Sequence, residues 1–533
     1  MISLQAFPGQ PTGFMLGLLT ATFALLALAI TGRWKVPPRC PKGIRWSGRR
    51  TEIFSKIRAS YRGWPSMLPN LSEGYHKYTA HGEPYIHPNA SLRPQVILPA
   101  RELDWMIRQP DSKLSPHEVM NDSMGVAHLF FARDAKVEKI AAAAISQHLT
   151  QRTDLIQEDL YNELQSTLDQ ILGTDTRNWK SVALFPAMER VVSRTTGRLL
   201  FGPELSRNEG YLRALSRCCH YSGVSMLFSG QLFPWFLQPV LSVFFKVPLH
   251  FAIMIYSSYT EPLITSWLAR IDLERRMPSS SGSALEVPYN LATSFLRAAR
   301  KLTGSERTAR QLTSWINTFA ILPFSTLPIS ACTVFLELAS YPKTRSLAES
   351  LRQEATETLA SEAAWKNPAS FKALQQTDSA IMESLRLNPI MLRLPNREVI
   401  HPDGLTLPTG HHLPRGTWVA TSALDVNLDE RLYADPMRYD PSRFLSKDGC
   451  NPVDDSPNIP RVPGTSTMVS FGAGRHACPG RHFSLHVLKM IVAYVVTYYE
   501  IDPLDKKPRS SVYGDVHLPD PTATIRVRRR DNV

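Results

Sequence analysis

Hydrophobic and polar positions divide this chain into stretches of distinct period. Phe14 to Ile30 is an unbroken run of apolar or small residues, FMLGLLTATFALLALAI, without a charge. Its uncharged flanks, Pro11 to Gly13 and Thr31-Gly32, bring it near the ~20 residues that a membrane span needs. Apolar positions three and four apart predict short helices over 71–78 and 103–107, then a mostly helical course to about residue 230. Pro84-Tyr85-Ile86 and Gln95-Val96-Ile97-Leu98 predict two strands. Residues 228–256, FSGQLFPWFLQPVLSVFFKVPLHFAIMIY, are rich in apolar and aromatic side chains. Pro234, Gln238, Pro239 and Lys246 exclude a clean second span there, and the pattern alone predicts two core helices joined by a loop. Val399 to Trp418 predicts strands separated by turns at Gly404, Pro408, Gly410 and Pro414-Arg415-Gly416-Thr417. The tail, Pro519 to Val527, alternates as a strand does.

The flanks of the first run assign its topology. No basic residue precedes it and no small-x-small cleavage site follows, so a permanent anchor fits better than a cleaved signal peptide. Arg33, Lys35, Arg39 and Lys42 follow, which keeps the C-terminal side in the cytosol by the positive-inside rule. Val36-Pro37-Pro38-Arg39-Cys40-Pro41 is a stiff connector. The predicted organisation is a short luminal segment over 1–11, a transmembrane anchor over 12–32, a basic proline-rich hinge over 33–43 and one large domain over 44–533. No low-complexity linker, repeat or break in composition divides that domain.

Charge and cysteine usage narrow the partners. Sixty Lys and Arg against 47 Asp and Glu give a net charge of +13. The basic residues are spread along the chain and no nucleic-acid motif occurs, so a nucleic-acid partner is excluded. An anionic membrane and an acidic partner protein are the remaining uses of that charge. Cys40, Cys218, Cys219, Cys332, Cys450 and Cys478 show no paired spacing, which argues against a disulfide framework or zinc site and for a reducing compartment. The sequons at Asn70, Asn89 and Asn121 should then stay unmodified.

The densest chemistry lies in Phe471-Gly472-Ala473-Gly474-Arg475-His476-Ala477-Cys478-Pro479-Gly480, just before an apolar helical pattern. Glycines permit positive φ and the close approach of a flat ligand, and Pro479 suits a first helical turn. A thiolate at Cys478 is favoured by the helix N-terminus and nearby backbone donors, with Arg475 adding positive charge. Such a loop suits an anionic sulfur bound to a metal beside a planar cofactor. The stretch resembles the haem-ligand loop of the cytochrome P450 family, Phe-x-x-Gly-x-Arg-x-Cys-x-Gly, at Phe471, Gly474, Cys478 and Gly480, with His476 at the arginine position and Arg475 beside it. Those four fixed positions would match by chance in roughly one chain in a thousand of this length.

The resemblance implies a mainly α fold with a small β region, a single large domain behind one N-terminal transmembrane helix, and haem b as cofactor. Cys478 becomes the axial iron ligand, whose electron donation favours O–O cleavage, with Phe471 and Gly472 completing the cofactor loop. Thr313 to Ala339 becomes the long helix over the distal face, with the family's acid–alcohol pair falling on Ser325 and Thr326. Ser325 replaces the acid, and Pro323 and Pro328 bracket the pair and would open the helix. Glu-Ser-Leu-Arg occurs at 349–352 and 383–386. The second copy precedes Leu387-Asn388-Pro389, so Glu383, Arg386 and Arg443 are assigned to the family's buried triad and Glu349–Arg352 to an exposed pair. Arg397 and Arg475 are assigned to the haem propionates. The usual third anchor, a tryptophan and a basic residue, is missing from 141–150, where His148 is the substitute. Gln109-Pro110-Asp111-Ser112 resembles a segment of fungal secondary-metabolism members, and 228–256 the segment over the active-site entrance that dips into the bilayer. The tail resembles the family's C-terminal hairpin, whose tip lines the substrate pocket.

The function implied is C–H oxidation of an apolar polycyclic metabolite of terpenoid, meroterpenoid or indole-diterpenoid type. It would use O2 and electrons from NADPH–cytochrome P450 reductase, with the catalytic domain on the cytosolic side of the endoplasmic reticulum membrane and in contact with its lipid. The altered distal pair leaves open an isomerase or dehydratase that needs no O2. A non-enzymatic haem-binding membrane protein is the third reading.

Overall fold

The computed structural model describes residues 40–123, 135–145, 152–274, 287–302, 304–445 and 467–531. The expected luminal segment, the anchor, most of the hinge, His148 and Cys450 lie outside the described residues. The helices that position the site are α1 (Leu103–Arg108), α2 (Gln157–Leu172), α3 (Leu184–Phe201), α4 (Glu209–Leu227), α5 (Gln238–Glu274), α6 (Ala309–Ser340), α7 (Thr344–Thr358), α8 (Gln375–Leu387), α9 (Ala423–Asn427) and α10 (Arg481–Tyr498). Side-chain caps start several of them: Asn208 accepts from the Tyr211 amide, Thr308 from Gln311 and Ser422 from Asp425.

Helix α6 runs through the middle, packed against α3, α4, α5 and α8. It is apolar all round, as a helix enclosed by others must be. Among the described residues it is the one helix long and apolar enough to cross a membrane, yet most of it is buried in the domain, and it is a core helix. Helix α10 is equally enclosed: Val487, Leu488 and every residue from Met490 to Thr497 are buried. These helices share one continuous apolar core with α2 and α8.

The strands are β1 (Arg45–Trp46), β2 (Tyr85–His87), β3 (Gln95–Leu98), β4 (Leu114–Ser115), β5 (Lys180–Ala183), β6 (Arg393–Val399), β7 (Leu405–Thr406), β8 (His412–Leu413), β9 (Trp418–Ser422), β10 (Tyr499–Ile501), β11 (Ser511–Tyr513), β12 (Val516–Leu518) and β13 (Thr524–Arg529). A six-stranded sheet has the order β1-β2-β3-β9-β6-β4. In it Arg397 of β6 stands opposite Val419, and Leu114 of β4 opposite Val399. A three-stranded sheet places β13 between β10 and β5. The β11–β12 hairpin docks its tip on the start of β6, where Arg393 Nε donates to Asp515 Oδ2 (3.0 Å) and the Leu392 amide to Asp515 O (2.8 Å).

Two segments depart from the sequence reading. The 228–256 stretch is a π-turn at Phe228–Leu232 followed by the first half of α5, not two helices and a loop. Pro248 and Pro262 sit inside that 37-residue helix. Phe244, Val247, Phe251, Met254 and Ile255 recur at helical spacing and are exposed, Phe244 at 72%. The second departure is α6, which passes Pro323 and Pro328 as one continuous helix of 32 residues. The prolines remove two amide donors, but burial of most of the helix outweighs a cost of about 3 kcal/mol for each.

Candidate active site

The loop from Thr467 to Gly480 is shaped by its own backbone. The Cys478 amide donates to Phe471 O (2.8 Å), the Gly472 amide to Val469 O (2.8 Å) and the Ala477 amide to Gly474 O (3.1 Å). Gly472 and Gly474 take φ of +72° and +69°, where an L side chain would be strained. At Gly474 a Cβ would also meet Ile107 Cβ at 3.0 Å, so the loop lies directly on α1. Phe471 is half-buried, and Cys478 sits three residues before the first residue of α10.

The electrostatics around Cys478 differ from the sequence reading. Burial pushes its thiol up, against the lowering effect of the Gly480 and Arg481 amides and the Arg481 charge. The nearby cation is thus Arg481, whose Nη1 donates to Cys478 O (2.9 Å). Arg475 turns the other way and donates to the C-terminal carbonyls of α1, at Gln109 and, more distantly, Ile107 and Arg108 (3.4 Å each). There it meets the negative end of a helix. A buried thiol of this kind becomes a thiolate when a metal takes it as ligand.

Glu383, Arg386 and Arg443 form one buried cluster. Glu383 accepts from Arg386 Nε (2.7 Å) and Nη2 (2.8 Å), from Arg443 Nε (3.0 Å) and from the Asp440 amide (3.0 Å). Glu383 and Arg386 are fully buried. The other tetrapeptide is an exposed pair, with Glu349 at 53% and Arg352 at 32%. Sequence reasoning missed Asn427, which joins this cluster to the cysteine loop. Its carbonyl accepts from Arg386 Nη1 (2.7 Å), its side-chain amide donates to Arg386 O and Ser470 Oγ (3.0 Å each), and its Oδ1 accepts from the Val469 amide (3.1 Å). No local spacing announces such a residue, because its partners lie 41 to 43 positions away.

Arg397 is buried at 5% exposure, and its guanidinium donates to Asn396 O (2.7 Å). No carboxylate among the described residues forms an ion pair with it. Burial brings its pKa down to about 10, with Asp111 raising it and Arg475 lowering it further. A buried cation short of a counter-ion is the observation that tests the site for haem, and a haem carboxylate supplies what it lacks. The described cysteine loop, with a glycine-lined surface and one buried thiol, fits the same group.

Ser325 and Thr326 lie on α6. Ser325 Oγ donates to Ile321 O (2.9 Å) and touches Cys219 of α4, so it faces the helical core. Thr326 Oγ1 donates to Leu322 O (3.0 Å) and is exposed on the other side. The structure does not bring the two hydroxyls to a common face. Pro323 and Pro328 leave the carbonyls of Phe319 and Phe324 without their helical donors.

Comparison with known proteins agrees with this arrangement. The family model described as Cytochrome P450 matches residues 110–527. Cytochrome P450 monooxygenase polB of Polytolypa hystricis is 35% identical over 93% of this chain and 94% of its own length. Cytochrome P450 monooxygenase efuH of Hormonema carpetanum is 33% identical, covering 96% and 91%. The retinoic acid-bound cyanobacterial CYP120A1 shares the fold, with a TM-score of 0.63 at 17% identity over 93% of this chain and 100% of that one. Monooxygenase relatives of this closeness set aside the isomerase and non-enzymatic readings. The chain therefore belongs to the cytochrome P450 family and is a haem-dependent monooxygenase with a redox partner, O2 and a small organic molecule as its reactants.

Proposed function

We propose that this monooxygenase hydroxylates an unactivated C–H bond of an apolar polycyclic metabolite of terpenoid, meroterpenoid or indole-diterpenoid type, in fungal secondary metabolism. The balance is RH + O2 + NADPH + H⁺ giving ROH, H2O and NADP⁺, with electrons delivered by an NADPH–cytochrome P450 reductase docked on the cationic face around Arg475 and Arg481. When bound, the haem would supply the reductive activation of O2, one atom of which is transferred to the substrate and the other released as water. Cys478 would hold the haem iron, with Phe471 and Gly472 lining the cofactor loop and Arg397 and Arg475 available to its propionates. Glu383, Arg386 and Arg443 hold the proximal side in shape. Thr326 orients water for proton delivery from its exposed hydroxyl, assisted by the unpaired Phe319 and Phe324 carbonyls. Ser325, whose hydroxyl faces the helical core, stands apart from that delivery.

The domain sits on the cytosolic side of the endoplasmic reticulum, held by the 12–32 anchor behind a luminal 1–11 and a 33–43 hinge, with 44–533 catalytic. The exposed apolar stripe of α5 supports a second contact with lipid.

The observation that carries the chemistry is the glycine-containing loop presenting the half-buried Cys478 thiol at the head of α10. The reduced, carbon monoxide-treated protein should show the red-shifted Soret band of thiolate-ligated haem. Cys478→Ser should lose both that band and turnover, and a wild-type spectrum from this variant would end the assignment. Expression with a reductase and candidate polycyclic hydrocarbons and alcohols, read as a mass gain of one oxygen, tests the substrate class.

A further inference from the structure

The Gln109-Pro110-Asp111-Ser112 segment has no part in the reading above, yet it lies where that reading's cationic groups meet. Two contacts hold its turn: the Lys113 and Leu114 amides donate to Pro110 O (2.8 and 3.0 Å). Strand β4 then joins it to β6, the strand of Arg397, through the Leu114–Val399 register and the Ile400 amide on Lys113 O (2.9 Å). From the opposite side comes the cysteine loop. His476 Nε2 donates to Asp111 Oδ1 (2.8 Å) and Arg475 Nε approaches the same oxygen at 3.9 Å. Burial raises the Asp111 carboxyl, but the His476 bond and the charges of His476, Arg475 and Arg397 outweigh it and hold the group below the usual carboxylate range.

We propose that Asp111 is a positioning residue for the haem, the anion that holds His476 and Arg475 of the cysteine loop in place beside the buried charge of Arg397. The proposal rests on the assignment of Arg397 and Arg475 as propionate partners. Stability is not its role: Asp111 is 44% exposed and Arg475 45%, and an ion pair that open adds little to folding. Its effect lies in geometry and charge. Arg397 and Arg475 repel each other, and Asp111 is the carboxylate that acts on both. Residues that orient a metal site from outside its ligand set typically change affinity by about 10–100-fold when replaced. A carboxylate near the propionate edge also disfavours the extra electron of the reduced haem, holding the reduction potential down.

The test uses the full chain carrying Asp111→Asn, Asp111→Glu, Arg397→Gln or Arg475→Gln, measuring haem release to excess apomyoglobin, the reduction potential and the unfolding midpoint. Asp111→Asn should release haem about tenfold faster and titrate at a more positive potential, with the unfolding midpoint unmoved. Asp111→Glu should return both readouts toward wild type. Wild-type release and potential in Asp111→Asn overturn the proposal. So does faster release accompanied by a lowered midpoint that Asp111→Glu does not rescue, since that marks a merely structural residue. If both arginine variants keep haem as the wild type does, the propionate assignment itself fails. If they lose haem while Asp111→Asn does not, the assignment stands and the Asp111 proposal alone is refuted.

Discussion

Replacing Glu383 by alanine is the sharpest perturbation the fold offers. Glu383 has no solvent exposure and accepts four hydrogen bonds, three of them from guanidinium groups. Its loss leaves Arg386, equally buried, with only the Asn427 carbonyl and the face of the Tyr433 ring 4.7 Å away. Stranding one charge of a buried pair costs about 3–5 kcal/mol. That is roughly a hundredfold to a few thousandfold in the folded population. For a domain of this length the unfolding entropy is about 1 kcal/mol per degree, so the midpoint should fall by about 3–5 °C. Glu349→Ala removes an exposed pair worth about 0–1 kcal/mol and should move it by no more than a degree. The assay is thermal unfolding of both variants beside the yield of carbon monoxide-binding protein per milligram expressed. Glu383→Gln with Arg386→Met should recover part of the loss, because the fully buried cation is gone and Arg443, held by the Ala434 and Arg438 carbonyls, is the one charge of the cluster left without its carboxylate. Equal shifts in the two alanine variants, or none in Glu383→Ala, would refute the burial argument.

Three further outcomes follow from other parts of the structure. Thr326→Ala should lower product formed per NADPH and raise hydrogen peroxide release, with the carbon monoxide spectrum intact; unchanged coupling would remove Thr326 from proton delivery. Deleting residues 1–32 should weaken sedimentation with microsomal vesicles without abolishing it, because the α5 stripe remains; a fully soluble protein would show that the stripe does not bind lipid. Asp425 is buried beside Thr79, and burial raises its pKa to about 6. A raised folded pKa contributes stability that is present below about pH 4 and lost as pH rises through 6. Asp425→Asn should therefore unfold about 3 °C above wild type at pH 7.5 and approach it as pH falls to about 4, and a constant offset would contradict the assigned cause.

Local signals in the sequence carried far. The Phe-Gly-Cys-Gly spacing, the i, i+3 placement of Glu383 and Arg386, and the alternation in 524–527 are short-range, and helix or strand geometry converts the last two directly into shared faces. Long-range pairings were not legible. Arg475 turning onto α1, Asp111 meeting His476 across 365 positions and Asn427 linking two clusters depend on segments brought together only by the completed core. The prolines of α6 show the reverse failure. Read locally they open a helix, whereas enclosure by α3, α4, α5 and α8 keeps it one helix through both.

The placement of β13 between β5 and β10 sets an order on synthesis. Residues 180–183 and 499–501 each pair with 524–529, so neither outer strand has this partner until residues 524–529 have left the ribosome. Arg529, which donates to Asp169 beside Tyr494 and Tyr499, arrives in the same step. Most of the helical core can condense before then, but this sheet waits for β13. A stop codon at 520 would leave two strand edges unpaired while sparing every helix of the core.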